Sequence, residues 1–276
     1  NRNPRGREFL KPNHKYMNTI NSLLQKIESA KELDFGTIFS ESIELFKKTW
    51  LQGFLLQLFT LLVMLPLIIV FYVPFIGMII AQQENGYTDN EMFSNFFTGM
   101  SIFYILLVTV GVFVLGAISV ALNAAFYRIM KKLDYDEQVT TSDFFYFVKG
   151  KYLSKTFMMM LVSILIAIPA ALLCYIPLIY AIVPLSFFAL IFAFNPELSV
   201  GEIVKVSFKL GNKKWLISFG LFVVAYLLIM VLSLLTCGLG SLFLSAFLYH
   251  PAYLIYKKVV GFDEASAIEQ IGRVQD

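Results

Sequence analysis

Histidine and cysteine each occur only twice, as His14 and His250 and as Cys174 and Cys237. Two histidines exclude a multi-histidine metal centre. Two cysteines make neither a disulfide framework nor a thiolate metal site. They are expected as buried free thiols, with pairing across the outer turns as the alternative. Charge is scarce as well: 15% of residues are Asp, Glu, Lys or Arg, against about a quarter in an average soluble domain. The stretches 51–81, 96–127, 156–196 and 215–256 hold none at all. Without an aspartate in these stretches, an intramembrane aspartate pair is excluded. A P-loop, a dinucleotide fingerprint and the common metalloprotease and serine-hydrolase patterns are missing too. We expect no catalytic residue, no cofactor and no metal.

What fills the space is apolar side chain, 58% of the chain. A membrane-crossing helix needs about 20 such residues. Stretches 51–81 and 96–127 each suit one crossing, and 156–196 and 215–256 each suit two short ones joined by a tight turn. The expected fold class is an all-α integral membrane protein with six transmembrane helices. Residues 1–33 lack the apolar run of a cleavable signal peptide, so the first crossing is expected to act as its own insertion signal.

Lys and Arg concentrate on cytoplasmic loops. With the N-terminus inside, Arg2 through Lys48 precede the first crossing on that side. The loop 82–95, carrying Glu84, Asp89 and Glu91, falls outside. Arg128 to Lys155, Lys205 to Lys214, and Lys257, Lys258 and Arg273 return inside. Splitting 96–127 into two crossings would expose the basic loops to the outside, so we reject it. The chain then divides into a basic cytoplasmic N-terminal arm (1–33), a six-helix membrane domain (34–260) and a cytoplasmic tail (261–276). The expected location is the bacterial cytoplasmic membrane with both termini inside.

An internal similarity runs through the junctions. GTIFSESIELFKKTWLQGF (36–54) aligns without a gap on GEIVKVSFKLGNKKWLISF (201–219), and SDFFYFVKGKYLSKTF (142–157) is a weaker copy. Three parallel two-helix repeats are expected. In the first copy Phe35, Ile38, Phe39, Ser42, Ile43 and Phe46 recur at helical spacing, predicting an amphipathic helix at the membrane interface. Trp50, Trp215 and Tyr152 would be interfacial anchors. Lys47, Lys48, Lys213 and Lys214 would face a partner protein or anionic lipid. The basic inner face also suits a ribosome, whereas no DNA partner is expected.

Within the crossings the strongest polar groups are His250, Asn123, Gln52 and Gln57. A histidine without an acidic neighbour reads as a packing residue, and Asn123 as a bond to another helix where alanines allow close approach. Pro66, Pro169, Pro184 and Pro251 mark kinks whose freed carbonyls neighbouring helices re-satisfy.

Three segments carry a family resemblance: DFGTIFSESIELFKKTW (34–50), VPLSFFALIFAFNPELSVGEIVKVSFKLGNKKW (183–215) and YHPAYLIYKKV (249–259). Over residues 34–260 the chain resembles the polytopic membrane domain attached to some glycerophosphodiester phosphodiesterases and its stand-alone relatives. The resemblance implies a six-helix bundle. With no hydrolase segment in this sequence, it implies no hydrolase activity. Two functions are expected to compete. One is a non-catalytic accessory or scaffold subunit of a membrane complex, in protein export, insertion or envelope biogenesis. The other is a carrier or binder of a lipid or another apolar solute. A cavity reaching the flank of the bundle favours the second, and a closed bundle the first.

Overall fold

An apolar run that cannot share hydrogen bonds with water satisfies its peptide groups by coiling into a helix. The computed structural model follows that rule over the residues it describes, 20–85, 94, 102–173 and 175–262. No strand occurs among them. Residues 1–19, 86–93, 95–101, 174 and 263–276 lie outside the described residues, and with them most of the loop 82–95 and Cys174. The helices are α1 (Ile20–Glu28), α2 (Phe35–Asn85), α3 (Ile102–Asp134), α4 (Gly150–Leu172), α5 (Ile176–Ser186), α6 (Phe188–Phe194), α7 (Val200–Lys213), α8 (Trp215–Leu235), α9 (Gly240–Leu244) and α10 (Tyr249–Val259). Short 3₁₀ turns lie at Thr141–Phe145 and Ser245–Leu248.

Five helical stretches are long and apolar enough to cross a membrane: Phe35–Gly77, Ile102–Asp134, Gly150–Leu172, Ile176–Phe194 and Trp215–Leu235. The chain is a multi-pass membrane protein by that measure. The expected sixth crossing is broken into α9, the 3₁₀ turn and α10. Pro251 explains the break. It has no N–H to bond Phe247 and its ring crowds that carbonyl, so it fits only the first turn of a new helix.

The amphipathic helices differ from expectation. Residues 36–54 do not form a separate interfacial helix, because α2 runs through them as one piece of 51 residues. At 1.5 Å per residue that is about 76 Å, more than twice the hydrocarbon thickness. Its apolar stripe, Ile38, Ser42, Leu45 and Thr49, is buried in the protein's own core, while Phe39 and Phe46 stack edge-on against Phe247. The stripe of α7, Ile203, Val206 and Leu210, is fully buried as well. In α7, Ser199 and Glu202 form a capping box. The amide and hydroxyl of Ser199 hold the Glu202 carboxyl below its ordinary value. The weaker copy, residues 142–157, has no such helix, only the 3₁₀ turn before α4. Within the expected N-terminal arm, α1 packs on α7 through Leu23 and Ile27, and Lys209 pairs with Glu28.

Two carbonyls freed by prolines within helices are capped from a neighbouring helix. Pro74 cannot bond the carbonyl of Val70, and the hydroxyl of Tyr104 on α3 donates to that oxygen at 2.8 Å. Pro184 likewise frees Tyr180, whose carbonyl accepts the indole N–H of Trp215 at 3.1 Å.

Burial is lopsided along the bundle. Ala121 to Met130, Leu190 to Ala193 and Ala252 to Ile255 are packed tight, whereas Leu61, Ile69, Val73, Leu106, Leu165 and Leu234 are exposed. Such an apolar belt is out of place in water and suited to acyl chains. At the packed end the charged tips of three helices meet. Lys48 pairs with Asp136, Lys258 with Glu41 and Lys257 with Asp134. Asp134 Oδ2 accepts from Lys257 at 2.6 Å and from Tyr253 at 2.8 Å. Replacing Asp134 by alanine leaves a half-buried ammonium and a hydroxyl without that acceptor. We expect a loss of about 2–3 kcal/mol, read as a lower unfolding midpoint in detergent, with Asp134→Asn intermediate.

Candidate functional site

Several polar side chains of the apolar stretches converge on one place. Asn123 and Tyr127 lie one turn apart on α3 and so share a face. Facing them are Ser186 on α5, Tyr226 on α8, Ser245 and Tyr249. Tyr127, Ser186, Tyr226, Ser245 and Tyr249 line a cavity of about 580 Å³, with Gln57 of α2 in its wall. A second cavity of about 220 Å³ adjoins it, lined by Asn123, Ser163 of α4 and Phe188. Tyr127, Ser186 and Tyr249 are common to both walls. No charged side chain lines either one.

The walls are mostly apolar because α8 offers Phe219, Phe222, Val223, Tyr226 and Leu227 at helical spacing. The cavity opens sideways. Ile182, Tyr226 and Leu227 at its edge are 46%, 60% and 51% exposed, on the flank that faces acyl chains in a membrane.

The polar groups in the wall are unequally committed. Tyr249 donates its hydroxyl to Asn123 Oδ1 at 3.0 Å. Ser186, Ser163 and Ser245 donate to backbone carbonyls of their own helical turns. Tyr127, only 2% exposed, has no hydrogen-bond partner for its hydroxyl among the described residues. Nor has the Gln57 amide. An apolar chamber with a few uncommitted donors and acceptors holds an amphiphile by shape and orients it by those groups.

His250 is not part of this wall. It is fully buried, with Nε2 2.7 Å from the Thr49 hydroxyl and Nδ1 3.1 Å from the Ala246 carbonyl. A carbonyl only accepts, so Nδ1 carries the proton and Nε2 accepts from Thr49. The rings of Phe46, Phe126 and Phe247 enclose it. Its role is to join α2 to α10 at the proline break.

The expected anchors and cations are dispersed. Trp50 is exposed, as an interfacial anchor requires, whereas Trp215 is tied to Tyr180 and stacked on Phe219. Tyr152 sits in an aromatic cluster with Tyr146, Phe147 and Phe192. Lys47 is exposed beside Glu44, and Lys48 is bound to Asp136. Lys213 is exposed. Lys214 is a correction: it is buried, and its ammonium donates to the Lys31 carbonyl. Burial pushes that ammonium below its ordinary value, and neighbouring Lys213 adds to the shift. Two adjacent helical lysines point about 100° apart, so one turned inward. Cys237 is a further correction, an exposed free thiol rather than a buried one. It and Gly238 adopt φ of 52° and 89° in the turn after α8. Gln52 is half-buried, and its buried Oε1 has no hydrogen-bond partner among the described residues.

Comparison with family models, with curated proteins and with solved structures returns no match.

Proposed function

We propose that this chain is a non-catalytic protein of the bacterial cytoplasmic membrane that holds a lipid or another apolar amphiphile in the cavity walled by α2, α3, α5 and α8. One observation carries the reading. The chamber opens to the apolar flank, and its uncommitted polar groups, Tyr127 and Gln57, lie among apolar side chains rather than charges. A water-soluble ionic substrate finds no counter-charge there, whereas a ligand with a long apolar body and a hydroxyl or carbonyl satisfies both parts of the wall.

The proposed topology has six crossings with both termini inside, counting Gly240–Val259 as the sixth. The pairs Lys48–Asp136 and Lys257–Asp134 support it, because they hold the start of α2 and the ends of α3 and α10 on one side. The repeat is part of the proposal for the first and third copies, where α2 and the α7–α8 pair carry the matching sequence.

The test is purification from native membranes in mild detergent, followed by lipid extraction and mass spectrometry of the intact complex. One lipid class retained at near-stoichiometric level, against the bulk composition, is the expected result. Lipids that mirror the bulk membrane, alongside a stoichiometric protein, would move the assignment to an accessory subunit of an export, insertion or envelope-biogenesis complex.

A further inference from the structure

Six lysines at the charged end of the bundle are committed to carboxylates. Lys47, Lys48, Lys132, Lys209, Lys257 and Lys258 each have a carboxylate partner. Arg128, the one arginine among the described residues, forms no ion pair with any of them. Its guanidinium carbon sits over an aromatic ring, 3.8 Å from the centroid of Tyr146. The ring of Phe147 lies 5.7 Å away.

Stacking fixes the plane of a guanidinium while leaving its N–H edge free to donate, and the group keeps its charge under all ordinary conditions. Arg128 lines a cavity of about 270 Å³, which Lys131, Lys132 and Pro196 also border. Lys132 is held by Asp143 at 2.6 Å, and Lys131 lies 4.7 Å from the Phe262 ring. Glu137 borders the cavity as well. With Lys132 neutralised by Asp143, the wall carries Arg128 and Lys131 against one carboxylate, an excess of one positive charge. The neighbouring chamber beside Glu41, Glu44, Lys47, Lys48, Asp134 and Lys257 is balanced by contrast.

We propose that the Arg128 cavity is a binding site for a phosphate group. The planar fork of an arginine matches two phosphate oxygens at once, and the excess positive charge suits a dianion or a diester better than a neutral ligand. At the junction between the apolar belt and the charged end, the phosphate comes either from an anionic lipid headgroup or from a soluble phosphate compound. The inference stands apart from the amphiphile cavity, whose walls include neither Arg128 nor Lys131.

The test uses the full chain in nanodiscs of equimolar phosphatidylcholine and phosphatidylglycerol, with bound lipid counted by native mass spectrometry. Wild type is expected to enrich phosphatidylglycerol, and Arg128→Gln to lower its apparent affinity about tenfold, the scale of one lost bidentate charged contact. Lys209→Gln, whose ammonium is paired with Glu28 and lies outside the cavity lining, is expected to leave binding unchanged. Arg128→Lys keeps a charge over Tyr146 and serves if the glutamine variant fails to fold. Its expected affinity is reduced, because an ammonium is not a planar fork. Millimolar glycerol 1-phosphate separates the sources. Displacement of the lipid identifies a site open to soluble phosphates, and persistence identifies a lipid headgroup site. Enrichment in Arg128→Gln or Arg128→Lys equal to wild type overturns the proposal.

Discussion

Ser186→Trp is expected to lower retention of the co-purifying amphiphile by about a hundredfold, the scale of a ligand losing most of its contact with a pocket. Ser186 borders both cavities, so one bulky side chain there fills the chamber where the two meet. The serine hydroxyl is already committed to the Val183 carbonyl at 2.7 Å, and Ser186→Ala is expected to leave retention nearly unchanged. The cavity receives the indole without overpacking, so the unfolding midpoint should move little. Native mass spectrometry reads the stoichiometry, and circular dichroism checks the helices. Full retention in a folded Ser186→Trp protein would remove this cavity from consideration.

Gly211→Val is expected to destabilise the bundle by about 3 kcal/mol, the upper part of the range for overpacked cores. A Cβ at Gly211 would lie 2.8 Å from Cα of Pro184 and 3.0 Å from its nitrogen. That obstacle is the backbone of α5, already rigid at a proline, and cannot swing aside as a side chain can. Even Gly211→Ala, which gains up to about 1 kcal/mol of helix propensity, should lose more to this contact than it gains. Gly201, on the same helix, has nothing within 4 Å of its added Cβ. Gly201→Ala is therefore expected to be neutral or slightly stabilising. Thermal unfolding of the three variants in one detergent compares them, and equal midpoints would refute the close packing of α5 on α7.

The charge-free stretches made the helices legible, because length and composition suffice when the only alternative is an unsatisfied backbone. Asn123 was legible too, as a lone amide among alanines, and it does bond across to Tyr249. The fate of the amphipathic stripes was not. Ile38, Ser42, Leu45 and Thr49 announce a covered face, but the pattern is the same whether lipid or protein covers it. Tyr127 was hidden for another reason. With 14 tyrosines and 28 phenylalanines in the chain, one more aromatic ring is no signal, and only its spacing of four from Asn123 set it apart. Arg128 read as one cation among many in a basic loop. Its place over the Tyr146 ring at the rim of a cavity exists only once the segment around Tyr146 folds back on α3.

Helices surrounded by hydrocarbon have little to stop them sliding, since one apolar ridge fits the next groove almost as well as the last. The bonds from Tyr104 to Val70 and from Trp215 to Tyr180 change that. Each is a directional contact at a single carbonyl that proline alone leaves available, so α3 can dock on α2, and α8 on α5, in one register and no other. A proline that looks like a weak point in each helix thus becomes the index mark by which its neighbour is aligned.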